Sequence, residues 1–80
     1  MSASPSRKLR TFDARPMMQR GEEPRATVFA ALAALAPGES LAVITPFLPS
    51  PLIEKMQADG FAVRPERRAD GSWQTLFCRP

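Results

Sequence analysis

Leu41-Ala42-Val43-Ile44-Thr45 is the stretch on which the fold turns. It carries no charge, three of its residues are β-branched, and apolar and polar positions do not alternate. That pattern belongs to a central strand covered on both faces, not to a strand with one face in water. Such a strand needs neighbours along both edges, and the flanking sequence supplies them.

Upstream, Leu9-Arg10-Thr11-Phe12-Asp13 alternates as a first strand would, before Pro16 and Gly21 break the pattern. The stretch from Ala14 to Glu23 reads as a long loop, a kind of segment that often carries function. Pro24 suits a first helical turn, and Glu22 and Glu23 beside it complement the positive helix end. A helix is expected from Pro24 to Ala36, with Val28, Leu32 and Leu35 on one apolar face and Pro37-Gly38 ending it. Downstream, Pro46 and Pro49 hold a rigid loop, Ser50 can cap a second helix over Pro51 to Asp59, and Gly60 supplies a left-handed stop. That helix should bury Leu52 and Met56, with Ile53 beside them. Phe61-Ala62-Val63-Arg64 and Trp73 to Cys78 alternate again around the turn Ala69-Asp70-Gly71-Ser72, giving two antiparallel strands. Trp73, Val63 and Phe61 are expected in the core. The order is β-α-β-α-β-β: an α/β two-layer sandwich with a mixed four-stranded sheet and two helices on one face. Residues 1–7, rich in Ser, Pro and basic residues, read as a disordered tail, and 8–80 as a single domain.

Asp13-Ala14-Arg15, Pro24 at the first helix, Ala36-Pro37-Gly38-Glu39 after it and Pro49-x-Pro51-Leu52 at the second resemble the SirA/TusA-like sulfur-carrier fold, over about Leu9 to Arg79. The resemblance is closest to a bacterial branch of that fold with no assigned function. Sulfur carriers of this fold place a Cys-Pro-x-Pro motif at the start of the first helix, where the helix end favours the thiolate. The matching place here reads Gly21-Glu22-Glu23-Pro24, so the resemblance implies the fold without the transferring thiol. Other members of the unassigned branch carry an Asp-His-Asp-like cluster after the second strand. Here that place reads Thr45-Pro46-Phe47, and metal binding is not inherited.

The 80 residues include no histidine, which removes the commonest general base and metal ligand together with every Ser-His or Cys-His nucleophile pair. Adjacent Glu22 and Glu23 read as solvated residues at a helix start rather than an acid–base pair. Gly21 is a lone glycine with glutamates beside it, not a phosphate cradle. Met17-Met18, without cysteine or histidine, makes a poor soft-metal site. No metal or cofactor is expected. The single cysteine, Cys78, excludes an intramolecular disulfide and points to the reducing cytoplasm. The nine-residue apolar run Val28 to Ala36 is too short for a membrane span, which takes about twenty, and no targeting segment is read at the start. The net charge of +3 is carried by the segment up to Arg25, in a tail and one loop. A nucleic-acid reader shows a basic stripe interleaved with aromatics, so nucleic acid is not the expected partner.

What is left is a surface. The loops after the first two strands should emerge at the same edge of the sheet, where open α/β sheets bind ligands. They offer Met17, Met18, Phe47 and Leu48 as adaptable apolar contacts, with Arg15 and Arg20 able to pair a carboxylate. The expectation is a non-catalytic protein-binding or adaptor module. Its alternatives are a thiol or persulfide carrier using Cys78 and a small nucleic-acid-binding protein using the basic N-terminal segment. Phe47 could instead cover the sheet end as core. A homodimer, if formed, is expected to use the uncovered sheet face, where Leu76 and Cys78 point.

Overall fold

The computed structural model describes residues 9–80 and places the strand β2 (Ser40–Thr45) at the centre of the sheet. On one edge it pairs in parallel with β1 (Leu9–Asp13); on the other it pairs antiparallel with β4 (Trp73–Cys78), whose outer neighbour is β3 (Ala62–Arg67). The sheet order is β1-β2-β4-β3, a mixed four-stranded sheet as expected. Five consecutive residues of β2, Leu41 to Thr45, are buried. That is the both-face covering their lack of alternation required.

The register sorts side chains onto two faces. Leu41 stands opposite Phe77, and Val43 opposite Thr75 on one side and Phe12 on the other. Leu41, Val43 and Phe77 form the core with Val28 and Leu32 of the helix α2 (Arg25–Ala33), with Leu35 just beyond it, and with Met56 of the helix α3 (Ser50–Ala58). Both helices therefore cover the same face. Phe61 and Val63 pack against this cluster as expected.

Trp73 does not. It is half-buried at the last pair of the sheet, opposite Thr45, beyond the cluster, and the wholly buried aromatic is Phe77. Three further expectations are corrected. The loop after β1 contains a third, one-turn helix, α1 (Arg15–Gln19), because Pro16 falls in its first turn, where a missing N–H is no loss. The helix expected to reach Ala36 ends at Ala33, although Leu35 is still buried against the core. Ser50 lies inside α3, whose cap is Pro49, and makes no capping hydrogen bond.

At its other end α3 stops as its sequence predicts. The N–H of Gly60 donates to the Gln57 carbonyl and that of Phe61 to the Met56 carbonyl, the paired bonds of a left-handed helix stop. Gly60 takes φ +93°, a conformation that costs a side chain about 1 kcal/mol. Pro65 does not end β3. The strand is at the sheet edge, where a residue without an N–H is tolerated, and pairing continues to Arg67. The tail expected over 1–7 lies outside the described residues.

Phe77 and Thr75 share the buried face of β4 at 0% exposure, yet the Thr75 hydroxyl has no hydrogen-bond partner among the described residues. An unpaired buried hydroxyl costs free energy that a methyl group of the same shape does not. The two positions should respond oppositely in urea titration. Phe77→Ala should cost about 3–5 kcal/mol through its cavity. Thr75→Val should raise stability by about 1 kcal/mol. A destabilised Thr75→Val would show that the hydroxyl is satisfied in solution.

Candidate binding groove at one end of the sheet

α2 and α3 both begin at the end of the sheet where β1 and β2 finish. Each has only nine residues, about 14 Å of helix against about 20 Å of six-residue strand, so neither covers the sheet along its whole length. Between their first turns lies a groove of about 530 Å³. Its floor is Ala14, Val43 and Thr45. Val28 and Phe29 of α2 form one wall, and Leu52 of α3 with Pro49 and Pro51 forms the other. Met18 and Phe47 close the outer end, and Glu23, Arg25 and Lys55 stand around the apolar lining.

Local chemistry fixes each part. Ala14 is almost wholly buried, its N–H donating to the Ile44 carbonyl at 2.9 Å, so the floor is made by the smallest apolar side chain. The Thr45 hydroxyl donates to the Phe47 carbonyl at 2.6 Å and holds the loop after β2 in place. Proline at 46, 49 and 51 restricts that loop further. Phe47 is 56% and Leu48 38% exposed, the largest exposed apolar side chains of the described residues after Leu9. Phe47 is thus surface rather than core.

The residues singled out from the sequence divide between this groove and other contacts. Met18 and Phe47 are brought together in it. Leu48 is exposed beside it, and Met17 is half-buried in α1, outside the lining. Arg20 is held by Glu22 through two hydrogen bonds of 3.0 Å. Arg15 is part of a separate clamp. Its Nε and Nη2 grip both Asp13 oxygens at 2.9 and 2.8 Å, and its Nη1 reaches Asp70, in the turn before β4, at 3.1 Å. Cys78 is at the other end of β2, opposite Ser40, whose hydroxyl donates to its sulfur at 3.0 Å. Five residues of strand, about 16 Å, separate that pair from the Thr45 end.

Sequence reasoning missed the walls. Helical spacing assigns Val28 and Leu52 to packing, and spacing does not tell whether two helices meet or leave a gap. The closest signal was Pro49 and Pro51, which put two short side chains where a helix would otherwise carry long ones.

The clamp has its own electrostatics. Asp70 accepts from the hydroxyl and the N–H of Ser72, and these bonds, with the nearby guanidinium groups, lower its pKa to about 2. The hydrogen bond from Arg15 lowers that of Asp13. A carboxylate held below its ordinary value adds stability above about pH 4 and loses it as the pH falls through the folded value. The clamp should therefore weaken between about pH 4 and 2. Urea midpoints of the wild type and Asp70→Asn should differ at pH 7 and converge by about pH 2. A gap that stays constant across that range would show that the charge of Asp70 does not support the turn.

Among the described residues no group of three or more Cys, Asp or Glu side chains is gathered as a metal site would need, and no helix is long and apolar enough to cross a membrane. Comparison with known families finds one match, to a family described as an uncharacterized conserved protein (DUF2249), over residues 11–79. No curated protein and no solved structure matches the chain.

Proposed function

Because the chain belongs to the DUF2249 family of uncharacterized conserved proteins, its activity has to be read from its own surface, and we propose that it is a non-catalytic binding module whose helix-side groove receives an apolar segment of another protein. The observation that carries this reading is the apolar groove of about 530 Å³ with the exposed, stiffly held Phe47 at its mouth. Its volume lies in the range of ligand sites, and its lining is apolar apart from Thr45 on the floor and three charged residues around it. An open trough with an exposed aromatic at one end suits a side chain presented by a partner. A few such anchors supply most of the affinity of a protein interface.

The resemblance to SirA/TusA-like carriers is part of the same reading: the scaffold is kept and the transferring thiol is absent from the first helix. The alternative of a carrier acting through Cys78 draws nothing from the groove, since that thiol lies at the far end of the strand. The nucleic-acid alternative is weakened by Arg15 and Arg20, two of its basic residues, which are engaged with acids of the same chain. A cytoplasmic setting, suggested by the single cysteine, also belongs to this proposal.

Selection of a random peptide display library on the folded chain tests the proposal. Enriched peptides should carry an apolar anchor, and their affinity should fall about tenfold or more in Phe47→Ser, whose exposed position leaves the melting temperature unchanged. If no peptide is enriched, or if the peptides bind the folded Phe47→Ser chain as well as wild type, the groove is not the binding site.

A further inference from the structure

Residues 15–23, from the start of α1 to the residue before Pro24, pass the outer end of the groove at Met18 and Glu23. None of them is buried, and among the described residues their backbone-to-backbone hydrogen bonds all stay within residues 14–22. Arg20 pairs with Glu22 inside the segment, and Glu23 accepts the N–H of Arg25. One polar contact among the described residues joins the segment to a distant element: Arg15 Nη1 donates to Asp70 Oδ2 at 3.1 Å, in the turn between β3 and β4. The bonds from Arg15 to Asp13, two residues back, aim its guanidinium. Otherwise the segment rests on apolar contact, through the half-buried Met17 and Met18. Methionine is unbranched and repacks readily. Gly21, at φ +76°, makes the turn at the far end of α1.

We propose that residues 15–23 form a strap latched by Arg15 and Asp70, and that its release opens the outer end of the groove to an apolar segment longer than the groove walls. The inference rests on the groove being the binding site. Its walls run from Arg25 to Phe29 and from Pro51 to Lys55, four residue steps or about 6 Å of helix each. That length seats one anchor side chain, and a longer apolar stretch must displace Met18. Release leaves Asp70 with a second base beside it. Arg68 acts on both Asp13 and Asp70, and its Nη1 is buried with no hydrogen-bond partner among the described residues. Such a nitrogen gains from a carboxylate that Arg15 lets go. An exposed ion pair shifts an equilibrium by about fivefold at most, so the latch is weak enough for an occupant to open. The apparent affinity of a long occupant then scales with the population of the released state.

Asp70→Asn removes the charge that Arg15 holds, while its amide oxygen still accepts the bonds from Ser72; Ser72→Ala loosens the turn and leaves the carboxylate in place. Amide exchange of Met18, Gly21 and Glu22, followed by NMR, should quicken about two- to fivefold in Asp70→Asn and match wild type in Ser72→Ala. Alkyl maltosides below micelle-forming concentrations probe the groove through the chemical shifts of the Leu52 methyls. Hexyl maltoside, whose chain is about as long as the walls, should bind wild type and Asp70→Asn alike. Dodecyl maltoside, with a chain about twice as long, should bind Asp70→Asn more tightly by the factor seen in exchange. Unchanged exchange in Asp70→Asn overturns the strap, and so does exchange that quickens while dodecyl maltoside binds as before. Hexyl maltoside that leaves Leu52 of the wild type unshifted overturns the groove as the site, and this inference with it.

Discussion

β2 has a hydrogen-bonded neighbour on each edge and buried side chains on each face, and the other elements are arranged by what it needs. Its parallel pairing with β1 requires a crossover, which brings α2 over the sheet. Its antiparallel pairing with β4 places the β3–β4 turn at the same end as the termini of β1 and β2. From that follow the positions of the Asp13–Arg15–Asp70 clamp and of the loop after Thr45. The clamp ties the end of β1 to the turn before β4 across the sheet end, and so braces the floor on which Ala14 and Thr45 sit.

A chain of 80 residues cannot cover such a sheet completely. Two nine-residue helices bury the middle of one face, where Leu41, Val43 and Phe77 meet Val28, Leu32 and Met56, and leave the rest to shorter devices. At one end the uncovered length becomes the groove. On the opposite face Ala42 and Ile44 are buried although no described helix lies above them. The groove is thus a result of that shortage of chain.

The legible part of this fold was the part governed by local rules. The unbroken apolar run at Leu41–Thr45, the alternation of Leu9–Asp13 and Trp73–Cys78, and the glycines at 60 and 71 each record a conformation in a few neighbouring residues. Errors arose where a residue has two meanings. Pro16 reads as a break, yet it opens a helical turn, and only tertiary position separates that use from a break. Trp73 alternates correctly with Phe77 and so faces the helices, but the pattern carries no information on how far along the strand the helices extend. The same limit hid the groove. Met18 and Phe47 were found because they are apolar residues in loops, whereas Val28 and Leu52 stood among residues that any helix would bury. Arg15 and Arg20 looked available because the acids that hold them, Asp13 and Asp70 for the first and Glu22 for the second, are recognised as partners only once their geometry is known.

The placement of Phe47 bears on how a surface this small could bind at all. An exposed aromatic on a flexible loop loses conformational freedom when a partner immobilises it, and that loss is subtracted from the affinity. Here Pro46 restrains the residue on one side, Pro49 and Pro51 stiffen the other, and the Thr45 hydroxyl holds the Phe47 carbonyl. The ring is presented by a backbone that has already been ordered by folding, next to walls whose side chains are fixed by the core beneath them. The ordering is already supplied by the folding of β2 and α3, both of which the domain needs in any case, so in the proposed binding role a groove with few polar contacts would discriminate among apolar partners by shape.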